Sequence, residues 1–192
     1  MKKYEKLLYK ICKCIYKVLL KILYRPKVYG KENIPKEGSL ILAGNHIMAV
    51  DPTLVMSSTN RIVHYMAKEE LFKGFHGWLF KKIGLIKIDR EKSNVAAILK
   101  AEEILKEGGT IGIFPEGTRN KTSNELLKFK LGTVKMAKET GAKIQPFAIR
   151  GQYKLLKKSV ELEFGKPIDI TNMETNEAND YLKNEILKLL RK

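Results

Sequence analysis

Short apolar runs of strand length recur along this chain at intervals that suit a helix-flanked sheet. "SLILAG" (39–44), "RIVHYMA" (61–67), "LIKID" (85–89), "TIGIF" (110–114) and "KIQPFAIR" (143–150) are rich in branched and aromatic residues. Such runs suit strands covered on both faces. Between them stand stretches of helical spacing: "DPTLVMSS", "KEELFKGFHGWLFKKIG", "SNVAAILKAEEILKEGG" with Ser93 as its cap, and "NELLKFKLGTVKMAKETG". "PKVYG" and "SVELEFGKPIDI" read as further extended segments, and "NEANDYLKNEILKLLRK" as a closing amphipathic helix. The alternation predicts an α/β fold, a largely parallel sheet flanked by helices. With 192 residues, 44% of them apolar, the chain can bury one substantial core. The expected organisation is an amphipathic helix over residues 1–25 and an α/β domain over 26–192.

That first segment sits apart in charge. Residues 1–31 hold nine Lys and one Arg against a single Glu, a net +9 out of +16 for the whole chain. Lys6, Lys10, Lys13, Lys17 and Lys21 fall within an arc of roughly 80° on a helix. Leu7, Leu8, Ile11, Ile15, Val18, Leu19 and Ile22 fill the remainder. No uncharged run there approaches the roughly 20 apolar residues of a spanning helix, nor the core of a signal peptide. A helix lying on an anionic membrane surface through residues 1–24 is therefore expected, with a broad apolar side that the domain can share. Nucleic acid is the other polyanion that such charge could serve. Its readers mix in Arg, Asn and Gln, whereas this polar face is nearly all Lys, so no nucleic-acid partner is expected. Cys12 and Cys14, two apart, build no disulfide framework, which points to a reducing cytosolic setting.

Two constellations can carry chemistry. In "GNHIMAVD" (44–51) His46 follows a strand and Asp51 comes five residues later. A turn over 46–50 would bring the ring back to the carboxylate, which could fix the tautomer and steady an imidazolium. The plain alternative is that Asp51 caps a helix beginning at Pro52 and His46 is an ordinary loop residue. In "GIFPEGTRNK" (112–121) Pro115 and Gly117 make a tight loop at another strand end. There Thr118, Arg119, Asn120 and Lys121 offer donors suited to a phosphate, with Lys128 and Lys130 close behind. Arg90, in "KIDR", adds a cation at a third strand end. Open α/β sheets bind ligands at those ends. His64 and His76 lie in strand and helix patterns and read as structural. No nucleophile elbow, phosphate-loop or zinc-ligand spacing is present in the sequence.

"NHIMAVD" (45–51), "GLIKIDR" (84–90), "FPEGTR" (114–119) and "QPFAIRG" (145–151), in that order, resemble the blocks of the glycerolipid acyltransferase family, which includes the 1-acylglycerol-3-phosphate acyltransferases. The resemblance spans roughly residues 26–170. It implies that His46 is the catalytic base and Asp51 its partner, and that Arg90, Glu116, Gly117 and Arg119 bind the glycerol phosphate. Met48 departs from a common serine, Lys87 from a common aromatic and Gln145 from a usual apolar residue. The implied reaction moves a fatty acyl group from acyl-CoA or acyl carrier protein to the sn-2 hydroxyl of 1-acylglycerol 3-phosphate. It needs no cofactor beyond that co-substrate, and the cytoplasmic face of the membrane is the implied location. Acylation of glycerol 3-phosphate or of another lysolipid is the alternative inside the family. A basic nucleic-acid-binding protein is the alternative outside it.

Overall fold

The structure is a computed structural model that describes residues 1–89 and 94–192. Its centre is a seven-stranded sheet. The strands are β1 (Lys27–Tyr29), β2 (Leu40–Gly44), β3 (Val63–Lys68), β4 (Ile86–Ile88), β5 (Thr110–Ile113), β6 (Lys143–Gly151) and β7 (Val160–Phe164). They lie in the order β1-β7-β6-β2-β5-β3-β4, parallel at every junction except the antiparallel β6–β7 pair. The expected α/β fold with its largely parallel sheet is the observed one. The helices are α1 (Lys3–Leu23), α2 (Asp51–Ser58), α3 (Gly74–Lys82), α4 (Val95–Lys106), α5 (Gly132–Thr140) and α6 (Thr175–Leu190).

Strand periodicity divides the core in two. Along β2, Ile41 and Ala43 face α4, α5 and α6, where they meet Ala101, Leu105, Val134, Leu182 and Ile186. Leu40 and Leu42 face the other way, in a second cluster with Tyr9 and Leu20 of α1, Leu54 and Val55 of α2, and Phe147 and Phe164. Each fully buried aliphatic side chain contributes about 1.5–3 kcal/mol. Both faces of β2 are thus covered, which is why its sequence is apolar throughout.

Helix α1 has three faces. Tyr9, Cys12 and Leu20 are buried against the domain, and the Tyr9 hydroxyl accepts from Val63 N at 2.9 Å. Leu7, Ile11, Ile15, Val18 and Ile22 are exposed, and the lysines lie to one side between these two faces. The apolar side is therefore divided between core and surface. No helix among the described residues is long and apolar enough to cross a membrane.

Two local expectations need correction. The helix expected from Asn124 begins only at Gly132, because the preceding backbone is engaged elsewhere. Leu127 N donates to the Glu116 carboxylate and Lys130 N to the Pro115 carbonyl, each at 2.8 Å. The stretch from Lys68 to Gly84 is split into a 3-10 turn, Glu69–Phe72, and α3. The expected cap Ser93 lies outside the described residues.

Candidate active site

Register sets the site's geometry. Ala43 of β2 pairs with Ile113 of β5 and with Pro146 of β6, so β2 and β5 end at one level while β6 runs on to Gly151. The loops leaving β2 and β5 are then neighbours, and both candidate constellations rise from them. Their contact is explicit: Asn120 N donates to the His46 carbonyl at 2.7 Å. Asn45, buried at the end of β2, clamps the other neighbour. Its amide donates to Ile149 O at 2.9 Å and accepts from Ile149 N at 2.7 Å. Gly44 is required there, since a Cβ would come within 2.4 Å of the Phe147 ring and carbonyl.

The turn over 46–50 forms as expected, and His46 Nδ1 lies 2.8 Å from Asp51 Oδ2. Asp51 is fully buried, and its oxygens are well supplied. Oδ2 also accepts from Ile47 N at 2.7 Å and Met48 N at 2.8 Å. Oδ1 accepts from the Tyr153 hydroxyl at 2.7 Å. Asp51 is the first residue of α2, and its side chain serves the loop before the helix. The reading of Asp51 as a simple helix cap is thus replaced by that of a turn-forming bracket around His46. Because an ionised carboxylate only accepts, the neutral His46 ring carries its proton on Nδ1 and keeps the Nε2 lone pair free. The ring stacks on Phe114, centroids 4.1 Å apart and 16° between planes. One edge is held by a carboxylate and one face by an aromatic.

The resemblance assigns Glu116 to the glycerol phosphate; in the structure the residue is 3% exposed and its side chain is turned to backbone partners. Oε1 accepts from His46 N at 3.0 Å and Oε2 from Leu127 N at 2.8 Å. Both oxygens face backbone donors, and an anion would in any case repel a phosphate. Glu116 ties the "FPEGTR" loop to the backbone of His46 and to the segment before α5.

Beside the ring a cleft of about 1270 Å³ opens. His46, Gly117, Thr118, Arg119, Lys121 and Lys130 line one part of it, while Tyr16, Met56, Val63, Phe80 and Leu85 line another. Arg119 and Lys130 are exposed and make no ion pair among the described residues. Gly117 has φ 69°, and a Cβ there would meet the Lys130 stem at 2.8 Å. Glycine thus permits both the turn and the close passage of Lys130. Arg90 lies outside the described residues. His64 is structural as expected: buried, with Nδ1 2.7 Å from the Gly84 carbonyl.

Sequence reasoning missed Tyr153, which reaches Asp51 from 102 residues away. Burial and the Asp51 charge both push its phenol far above the usual value, so it stays protonated as a donor. Phe114 lies within the "FPEGTR" block, and nothing in that motif signals its place beneath the ring.

The acyltransferase family model matches residues 25–150, two thirds of the chain and every residue just placed at the dyad and the turn except Tyr153. The chain belongs to the acyltransferase family. Among relatives of this acyltransferase, the 1-acyl-sn-glycerol-3-phosphate acyltransferase of Bacillus subtilis (strain 168) is 36% identical over 167 residues. That match covers 84% of this chain and 82% of the relative. The protein of the same name from Borreliella burgdorferi is 32% identical over 170 residues, 85% of this chain and 68% of its own. Among solved structures, the 1-acyl-sn-glycerophosphate (LPA) acyltransferase PlsC of Thermotoga maritima superposes with a TM-score of 0.79 at 25% identity. That superposition covers 98% of this acyltransferase and 82% of PlsC.

Proposed function

We propose that this enzyme transfers a fatty acyl group from an acyl thioester, acyl-CoA or acyl carrier protein, to the sn-2 hydroxyl of 1-acylglycerol 3-phosphate. The product is phosphatidic acid. The observation that carries the reading is the 2.8 Å His46–Asp51 pair at the lip of a cleft with both a cationic and an apolar part. Arg119 and Lys130 hold the acceptor's phosphate, the guanidinium through paired N–H donors, with the Gly117–Thr118 turn close by. His46 Nε2 removes the hydroxyl proton as the oxygen attacks the thioester carbonyl. Asp51 stabilises the imidazolium. The C–S bond then breaks as the ester C–O bond is completed, and His46 returns its proton to the departing sulfur. The apolar part of the cleft takes an acyl chain.

Residues 1–24 seat the enzyme on the cytoplasmic face of the membrane, since both substrate and product are lipids. The exposed stripe Leu7, Ile11, Ile15, Val18 and Ile22 enters the interface while the lysines beside it meet anionic headgroups.

His46→Ala tests the base. General-base help is worth about 10²–10⁴ in rate, so acyl transfer to lysophosphatidic acid by purified enzyme should fall by at least that range. Circular dichroism should be unchanged. A folded variant that keeps activity within about tenfold of the parent removes His46 from the base role.

A further inference from the structure

The loop joining β6 to β7 reads Gln-Tyr-Lys-Leu-Leu-Lys-Lys over residues 152–158. Its tip is costly twice over. Leu155 and Leu156 are 64% and 60% exposed, and Leu156 sits at φ 59°, where a side chain crowds its own backbone. Strain of this kind persists where the surroundings hold it and function uses it. The surroundings do hold it. Gln152 N donates to Ser159 O at 3.0 Å, and the Ser159 hydroxyl to Gln152 O at 2.6 Å. Leu156 N donates to Leu23 O in the last turn of α1 at 2.5 Å. The Tyr153 ring meets Tyr24, the residue ending α1, edge to face at 5.1 Å. The loop is therefore riveted to the helix whose outer face exposes Ile22 and Leu23.

The loop's chemistry says what covers it. Its two leucines stand among Lys154, Lys157 and Lys158 with no acid in the loop. Apolar residues ringed by cations match an anionic bilayer surface, the leucines entering the acyl boundary and the lysines remaining at the headgroups. On its inner side the same loop carries Tyr153, whose hydroxyl donates to Asp51 Oδ1 at 2.7 Å.

We propose that loop 152–158 is a second lipid-inserting element and that, through Tyr153, it positions Asp51. The proposal rests on the reading of α1 as a bilayer anchor. Seating the leucines clamps the loop between bilayer and α1, and this fixes the phenol against the carboxylate that orients His46. Tyr153 touches no substrate. It is a positioning residue through which contact with lipid is felt at the dyad.

Trp78 is the single tryptophan of the chain, so the pair of changes Trp78→Phe and Leu155→Trp makes residue 155 the sole reporter. The probe is phosphatidylglycerol–phosphatidylcholine vesicles with bromine near the top of the acyl chains. The protein should co-sediment with them, and its emission should move to the blue and be quenched. Co-sedimentation with unquenched, water-like emission overturns the loop proposal and leaves the α1 anchor standing. A protein that stays in the supernatant overturns both.

Two further variants read the coupling. Tyr153→Phe should lower kcat about tenfold or more, the loss of a hydrogen bond to a charged group, with KM for lysophosphatidic acid within about twofold. An unchanged kcat, or a change confined to KM, overturns the positioning role. Leu155→Ser with Leu156→Ser changes only exposed side chains. It should lower kcat on vesicle-borne substrate while α1 still holds the protein on the vesicles, and full kcat there refutes the coupling.

Discussion

A buried carboxylate that accepts from two distant backbone N–H groups acts as a bracket, and Glu116 does this between His46 and Leu127. Hydrogen bonds to a charged group contribute about 1.5–3 kcal/mol each. Glu116→Ala should therefore lower the unfolding free energy by about 3–6 kcal/mol, measured by denaturant titration. Glu116→Gln keeps one acceptor and turns an N–H₂ group toward the other donor, so it should recover only part of that loss. Activity separates bracket from phosphate ligand. A bracket predicts a fall in kcat with little change in KM for the acceptor, because the imidazole is misplaced while Arg119 and Lys130 remain. A rise in KM alone would restore Glu116 to the phosphate site. Spacing made the His46–Asp51 pair legible, since five residues are enough for one turn. The direction of the Glu116 carboxylate was not legible, because both its partners are set by tertiary contact.

Elements were legible where their partners are local. The apolar run of β2 and the helical spacing of α4 announce themselves. The late start of α5 does not: the N–H groups that would continue the helix backwards are taken by Glu116 and Pro115, across a loop no local window spans. Helix α1 shows the same limit, since periodicity marks its apolar side but does not say how that side is divided. The division is testable. Leu7→Ser with Ile15→Ser alters exposed residues only and should leave the melting temperature in place while weakening flotation with phosphatidylglycerol vesicles. Leu20→Ala empties a buried site and should cost about 2–5 kcal/mol of stability. Undiminished flotation of the serine variant would rule the outer face out as the anchor.

At the scale of the molecule, pH acts on stability through His64. Burial, first among its causes, holds the imidazole below its ordinary value; the hydrogen bond to the Gly84 carbonyl opposes this, and the charges of the N-terminus and Lys100 act with burial. The unfolded chain therefore binds this proton more readily than the folded one. The contribution is intact above the unfolded value of about 6.5 and is lost as pH falls through the lower folded value. Thermal melts should show Tm decreasing from pH 7 towards pH 5, and His64→Gln, which never charges, should flatten part of that slope. An equal slope in the variant would assign the acid sensitivity to other groups.

His46 follows β2 and Arg119 follows β5, and these strands are adjacent and hydrogen-bonded in fixed register. Neighbouring strands are spaced at about 4.8 Å by backbone geometry alone, so no side-chain rearrangement can widen the gap between them. The distance between the roots of these two loops is thus set by the main chain of the sheet, and only the reach of the side chains they carry is left to vary.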